Sequence, residues 1–82
     1  VFFARDDNTV YLRGNAWNGA ETYDTIIFTL PADCAPTANI FVRGLNNNYK
    51  DAVMLIDTRG NVKVRSACTK EWLNFDNISF KI

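Results

Sequence analysis

The stretch Asp51-Ala52-Val53-Met54-Leu55-Ile56-Asp57-Thr58-Arg59-Gly60-Asn61-Val62-Lys63-Val64-Arg65-Ser66 decides the fold class. Two aliphatic, β-branched runs flank a four-residue segment with Asp first and Gly fourth. Those are the preferences of a type I turn, with glycine free to take the left-handed bulge such a hairpin needs. Strand 51–58 and its return, 62–66, therefore pair antiparallel. Working outward, the same grammar repeats. On the N-terminal side lies a run over 39–45 (Ile40 and Val42 on one face, Phe41 and Arg43 on the other), joined by the polar tip Asn46-Asn47-Asn48. Before it, residues 22–30 form the longest strand candidate, ended by Pro31, and 31–37 with its two prolines is a connection. Val1 to Arg5 pairs with Thr9 to Gly14 across Asp6-Asp7-Asn8, residues suited to turns. Residues 14–21 hold two glycines and two asparagines and are expected to form a loop with Trp17 exposed. At the C-terminal end, Ile78, Phe80 and Ile82 alternate with Ser79 and Lys81, and residues 72–76 form one short turn at most. No window has helical periodicity. The expectation is an all-β, antiparallel β-sandwich, jelly-roll-like, of about seven short strands.

Composition limits what such a domain does. Eighty-two residues hold one hydrophobic core, so residues 1–82 are expected to be a single domain. Lys plus Arg is 9, Asp plus Glu is 9, and the formal charge is zero, which lacks the basic excess that phosphate-backbone binding needs. Nucleic acid is not expected as a partner, and no apolar run is long enough to suggest membrane insertion. The chain has no histidine, the commonest general base and metal ligand at neutral pH. Paired carboxylates suited to glycoside hydrolysis do not emerge from Asp24, Asp57, Glu71 and Asp76. Asp6-Asp7-Asn8 lacks the glycine and distal glutamate of a calcium loop. No catalysis, metal or cofactor is expected. Cys34 and Cys68 are too few for a disulfide framework, and spacing alone leaves free thiols and a single bridge both open.

Alternation assigns Val10, Leu12, Ile26, Phe28, Leu30, Ile40, Val42, Val53, Leu55, Val62, Val64, Ile78 and Phe80 to the core. Ile27, Phe41, Met54 and Ile56 then fall on the opposite faces, where a lone sandwich would carry polar groups. That second apolar face is read as an oligomer contact; a one-residue slip on one strand would instead return its members to the core. Aromatic residues are 13% of the chain, more than a small core requires. Trp17 with Asn15 and Asn18, and Tyr49 with Asn48, sit in polar loops where buried packing gives them no local reason to be. An exposed ring stacks on the apolar face of a sugar while amides serve its hydroxyls, so these five residues are candidate saccharide contacts; packing and a solvated hairpin tip are the alternatives. Trp72 is read as structural, closing the end of the sandwich.

The order of the pieces resembles a known family. Val10-Tyr11-Leu12-Arg13-Gly14 is followed by Thr25-Ile26-Ile27-Phe28-Thr29-Leu30-Pro31, Ala35-Pro36 and Ile40-Phe41-Val42, then the 55–64 hairpin and Trp72-Leu73-Asn74-Phe75-Asp76-Asn77-Ile78-Ser79-Phe80. This is similar to the C-terminal head domains of bacteriophage tail fibre and baseplate receptor-binding proteins. The resemblance implies a homotrimer at the tip of a tail fibre or baseplate that binds a bacterial cell-surface glycan, with Ile27, Phe41, Met54 and Ile56 at the trimer contact. It also implies that Val1 continues a longer fibre chain. The alternatives from other classes are a structural trimerisation or capping domain, and a monomeric carbohydrate-binding module.

Overall fold

The computed structural model describes residues 1–17 and 21–82. Asn18, one of the candidate saccharide contacts, lies outside the described residues. Among those described, the strands are β1 (Phe2–Asp6), β2 (Thr9–Arg13), β3 (Asn15–Trp17), β4 (Ile26–Thr29), β5 (Ile40–Asn46), β6 (Asp51–Ile56), β7 (Asn61–Ser66), β8 (Trp72–Asn74) and β9 (Ile78–Lys81). A single 3-10 turn, Ala32–Cys34, follows β4. All the strand pairs are antiparallel, so the all-β antiparallel expectation holds.

The β6–β7 hairpin forms as its turn residues dictate. The Gly60 amide donates to the Asp57 carbonyl at 3.0 Å, and Asp57 Oδ1 accepts the amides of Arg59 and Asn61 at 2.9 Å each. Gly60 sits at φ +87°, and a Cβ there would lie 2.6 Å from the Leu30 carbonyl oxygen, so only glycine fits where the turn meets the end of β4.

Two sheets share one core. The larger has strand order β3-β8-β5-β6-β7-β4 and the smaller β1-β2-β9. They are joined by a bent ribbon: β2 runs into β3 through Gly14, and β8 runs into β9 through Phe75-Asp76-Asn77, while β2 pairs with β9 and β3 with β8. Gly14 makes the corner at φ +96°, with its carbonyl accepting the Phe75 amide at 2.7 Å. Inside the bend lie Val10, Leu12, Leu73, Phe75, Ile78 and Phe80, packed on Val42, Met54, Ile56, Val62 and Val64 of the larger sheet. Phe28 meets Phe75 edge-on, ring centroids 5.2 Å apart.

Four expectations are corrected. β6 is out of phase by one residue: Val42 pairs with Met54 and Ile40 with Ile56, so Met54 and Ile56 face inward and are fully buried. They belong to this chain's own core and present nothing to a second copy. Leu55 stays buried, as expected, although it shares with half-buried Val53 the face opposite Met54, beside exposed Phe41. β4 carries an irregularity at Ile27, which puts Ile26 opposite Lys63 on the outer face and Phe28 opposite Val62 on the inner one. Ile26 is accordingly exposed and leaves the core list, whereas Ile27 is half-buried against the core's edge. β4 is also shorter than the 22–30 run, because Asp24 adopts a left-handed φ of +69° that breaks the extended ladder. Finally, 15–17 and 72–74 are strands rather than loop and turn.

Candidate functional site

The β3–β8 pair brings the candidate residues together. Asn15 stands opposite Asn74, Ala16 opposite Leu73, and Trp17 opposite Trp72. Leu73 is fully buried and Ala16 packs on the core, so alternation sends Asn15, Trp17, Trp72 and Asn74 to the outer face. Residues directly opposite on one face have Cβ atoms about 5 Å apart, which makes Trp17 and Trp72 cross-strand neighbours. Trp17 remains 65% exposed, and Trp72 is half-buried.

Tyr49 completes the row. It lies in the turn between β5 and β6 at φ +59°, a left-handed conformation that is costly for a bulky residue. The turn is fixed by Asn46, whose buried amide does the work of several backbone groups. Its Oδ1 accepts from the amides of Asn48 and Lys50 at 2.9 and 3.1 Å, and its Nδ2 donates to the Ala67 carbonyl at 2.9 Å. So held, the Tyr49 ring packs edge-on against Trp72 with centroids 5.9 Å apart, yet stays 76% exposed. Asn48 is exposed beside it. Two sites that the chain separates by some thirty residues thus become one surface, and Trp72 is the residue that joins them. Sequence reasoning read Trp72 as structural and did not place it beside Trp17 and Tyr49; the signal available was a tryptophan two positions from an asparagine, the mirror of Asn15 and Trp17.

The amides of this surface form an ordered chain. Asn74 Nδ2 donates to Asn15 Oδ1 at 2.6 Å and to Asp76 Oδ2 at 3.3 Å, and the Asp76 amide donates to Asn74 Oδ1 at 3.1 Å. Asp76 Oδ1 accepts the Gly14 amide at 2.7 Å. The Gly14 bond, then the Asn74 bond, hold the Asp76 carboxyl below the usual carboxylate range.

Trp17 also borders a groove of about 500 Å³ between the two ends of the larger sheet. Its walls include Phe3, Trp17, Ile27 and Phe28, with Asn15 and Thr29 as polar members. A cleft of that size is within the range of small-ligand sites. Flat exposed rings with fixed amides alongside can hold an apolar face and several hydroxyls at once, which is the chemistry of a neutral sugar.

No protein-family model, curated protein or solved structure matches this chain.

Proposed function

We propose that this is a binding domain that recognises saccharide through the Trp17, Trp72 and Tyr49 surface, with Asn15, Asn74 and Asn48 serving the hydroxyls. The observation that carries this reading is the pairing of Trp17 with Trp72 across β3–β8, the packing of Tyr49 on Trp72, and an ordered amide pair on the same face, with Trp17 and Tyr49 mostly exposed. Solvated faces of small domains seldom spend large rings in this way. Together with the motif order that resembles phage fibre heads, it supports a receptor-binding role: a jelly-roll-like homotrimeric head at a tail fibre or baseplate tip, holding a bacterial surface glycan without breaking bonds. Three rigidly presented sites would turn weak single-site stacking into avidity.

A specific observation keeps a second reading beside it. With Met54 and Ile56 in the core and Leu55 buried, the outer face of β4–β7 keeps exposed Phe41 and Ile26 and half-buried Val53, fewer apolar side chains than the four expected at a trimer contact. A monomeric carbohydrate-binding module fits that area too.

The test is a glycan array and a host-cell binding assay with wild type, Trp17→Ala and Tyr49→Ala, alongside sedimentation of each. Each alanine variant is expected to lose tenfold or more of its affinity, about 1.4 kcal/mol or greater, at unchanged thermal midpoint. If wild type holds no glycan and no cell, or both variants bind as wild type does, the saccharide reading fails. A sedimentation mass of one chain selects the monomeric module over the fibre head.

A further inference from the structure

On the far side of the corner at Gly14 the bent ribbon carries a second pocket, of about 480 Å³. Its walls include Phe2, Tyr11, Arg13, Asp76 and Asn77. On the β1–β2 hairpin Phe2 stands opposite Arg13 and Ala4 opposite Tyr11, so these four share the face away from Val10 and Leu12. Phe2 is 75% exposed and Tyr11 48%. Arg13 makes no ion pair and no side-chain hydrogen bond with the described residues.

Asp76 links this pocket to the aromatic surface, as a pocket wall that accepts from Asn74. Tyr11, Arg13, Asn15 and Trp17 alternate along β2 and β3 on the outside of the bend, while Val10, Leu12 and Ala16 line the inside. On the partner strand β8, Trp72 and Asn74 face the same way, and Asp76 follows in the turn to β9. Asp76 is at once a wall of the pocket and the end of the amide chain from Asn15 and Asn74. Trp72 and Asn74 are two residues apart on β8, roughly 7 Å, and Asp76 lies beyond them in the turn closed by the Ile78 amide on the Phe75 carbonyl, so the surface with its pocket is longer than one sugar ring.

We infer that the surface binds a neutral oligosaccharide of at least two units, one ring on Trp17 and Trp72 and a further ring seated between Tyr11, Phe2 and Arg13. This rests on the saccharide reading proposed above and specifies its ligand. The guanidinium presents donors with no acceptor among the described residues, the Asp76 oxygens still have lone pairs, and Asn77 supplies an amide. Adjacent hydroxyls match that mixture of donors and acceptors. A carboxylated sugar does not, since Arg13 and Asp76 together sum to zero charge and an added anion would face the Asp76 carboxylate.

The experiment is titration calorimetry with panels of neutral and uronate-bearing glycans, each from one to six units, on wild type, Arg13→Ala, Tyr11→Ala and Trp17→Ala. Thermal midpoints confirm that each variant is folded; Arg13 and Tyr11 carry no core packing. For wild type, affinity for neutral chains is expected to rise tenfold or more from one unit to three. Arg13→Ala and Tyr11→Ala should remove that rise and leave single-unit affinity within twofold, whereas Trp17→Ala lowers affinity at every length. Affinity that does not grow with length, an unchanged rise in Arg13→Ala and Tyr11→Ala, or tighter binding of the uronate panel overturns the inference while leaving the saccharide reading intact. No binding by any glycan overturns both.

Discussion

Asp57 shows how one side chain holds an element in place. Burial opposes its ionisation, but hydrogen bonds from Asn61, Arg59 and Lys63 outweigh that and bring its carboxyl to about 2. Because the folded chain binds this proton less readily than the unfolded chain, the turn's contribution is complete above the ordinary value of 3.8 and is lost as pH falls toward 2. Asp24, lowered chiefly by its bond from Arg65, and Asp76, lowered chiefly by Gly14, act in the same direction. Thermal midpoints measured from pH 6 down to pH 2 should therefore fall most steeply below pH 4. Asp57→Asn should lower the midpoint at pH 6 and flatten that fall; a fall as steep as in wild type would remove Asp57 from the account.

At the scale of strands, the β6 phase has a measurable consequence. Met54→Ala deletes fully buried atoms from the core and should cost about 2–5 kcal/mol, whereas Phe41→Ser on the outer face should change the stability of the single chain by no more than about 0.5 kcal/mol. Denaturant midpoints of the two variants decide it, and comparable losses would restore Phe41 to a packed position. The phase was hidden in the sequence because Val53, Met54, Leu55 and Ile56 are all apolar, so no polar residue marks which face is wet. It is set instead by pairing, including the shift between Val53 and Met54 opposite β7. The β6–β7 turn, by contrast, was legible because its chemistry is local: Asp57, Gly60 and Asn61 specify it without reference to the rest of the chain. β3 and β8 were illegible for the opposite reason. Each is three residues long, and Asn15 pairs with Asn74 across a separation of 59 residues. For the candidate site, exposed Trp17 and Tyr49 were legible as rings without local packing partners, but their meeting through Trp72 depended on that long-range pair.

For the whole molecule, the core spans both sheets and takes in both thiols. Cys34 and Cys68 are free and buried, and burial pushes both thiols up from their ordinary value, with Asp33 adding to the effect on Cys34. Cys68 donates to the Val53 and Ser66 carbonyls at 3.5 and 3.7 Å. A thiol reagent is expected to modify neither cysteine rapidly in the native state and both in denaturant, and reductant should leave the thermal midpoint unchanged. Rapid native labelling of either would show that its part of the core opens far more readily than global unfolding. The same wholeness gives the corner at Gly14 a role no contact residue has. One glycine and one carboxylate set the angle at which the two halves of the ribbon meet, as a pivot sets the opening of a pair of callipers. A change in that angle would therefore reshape the whole outer surface of the ribbon while leaving every ring and amide on it as it is.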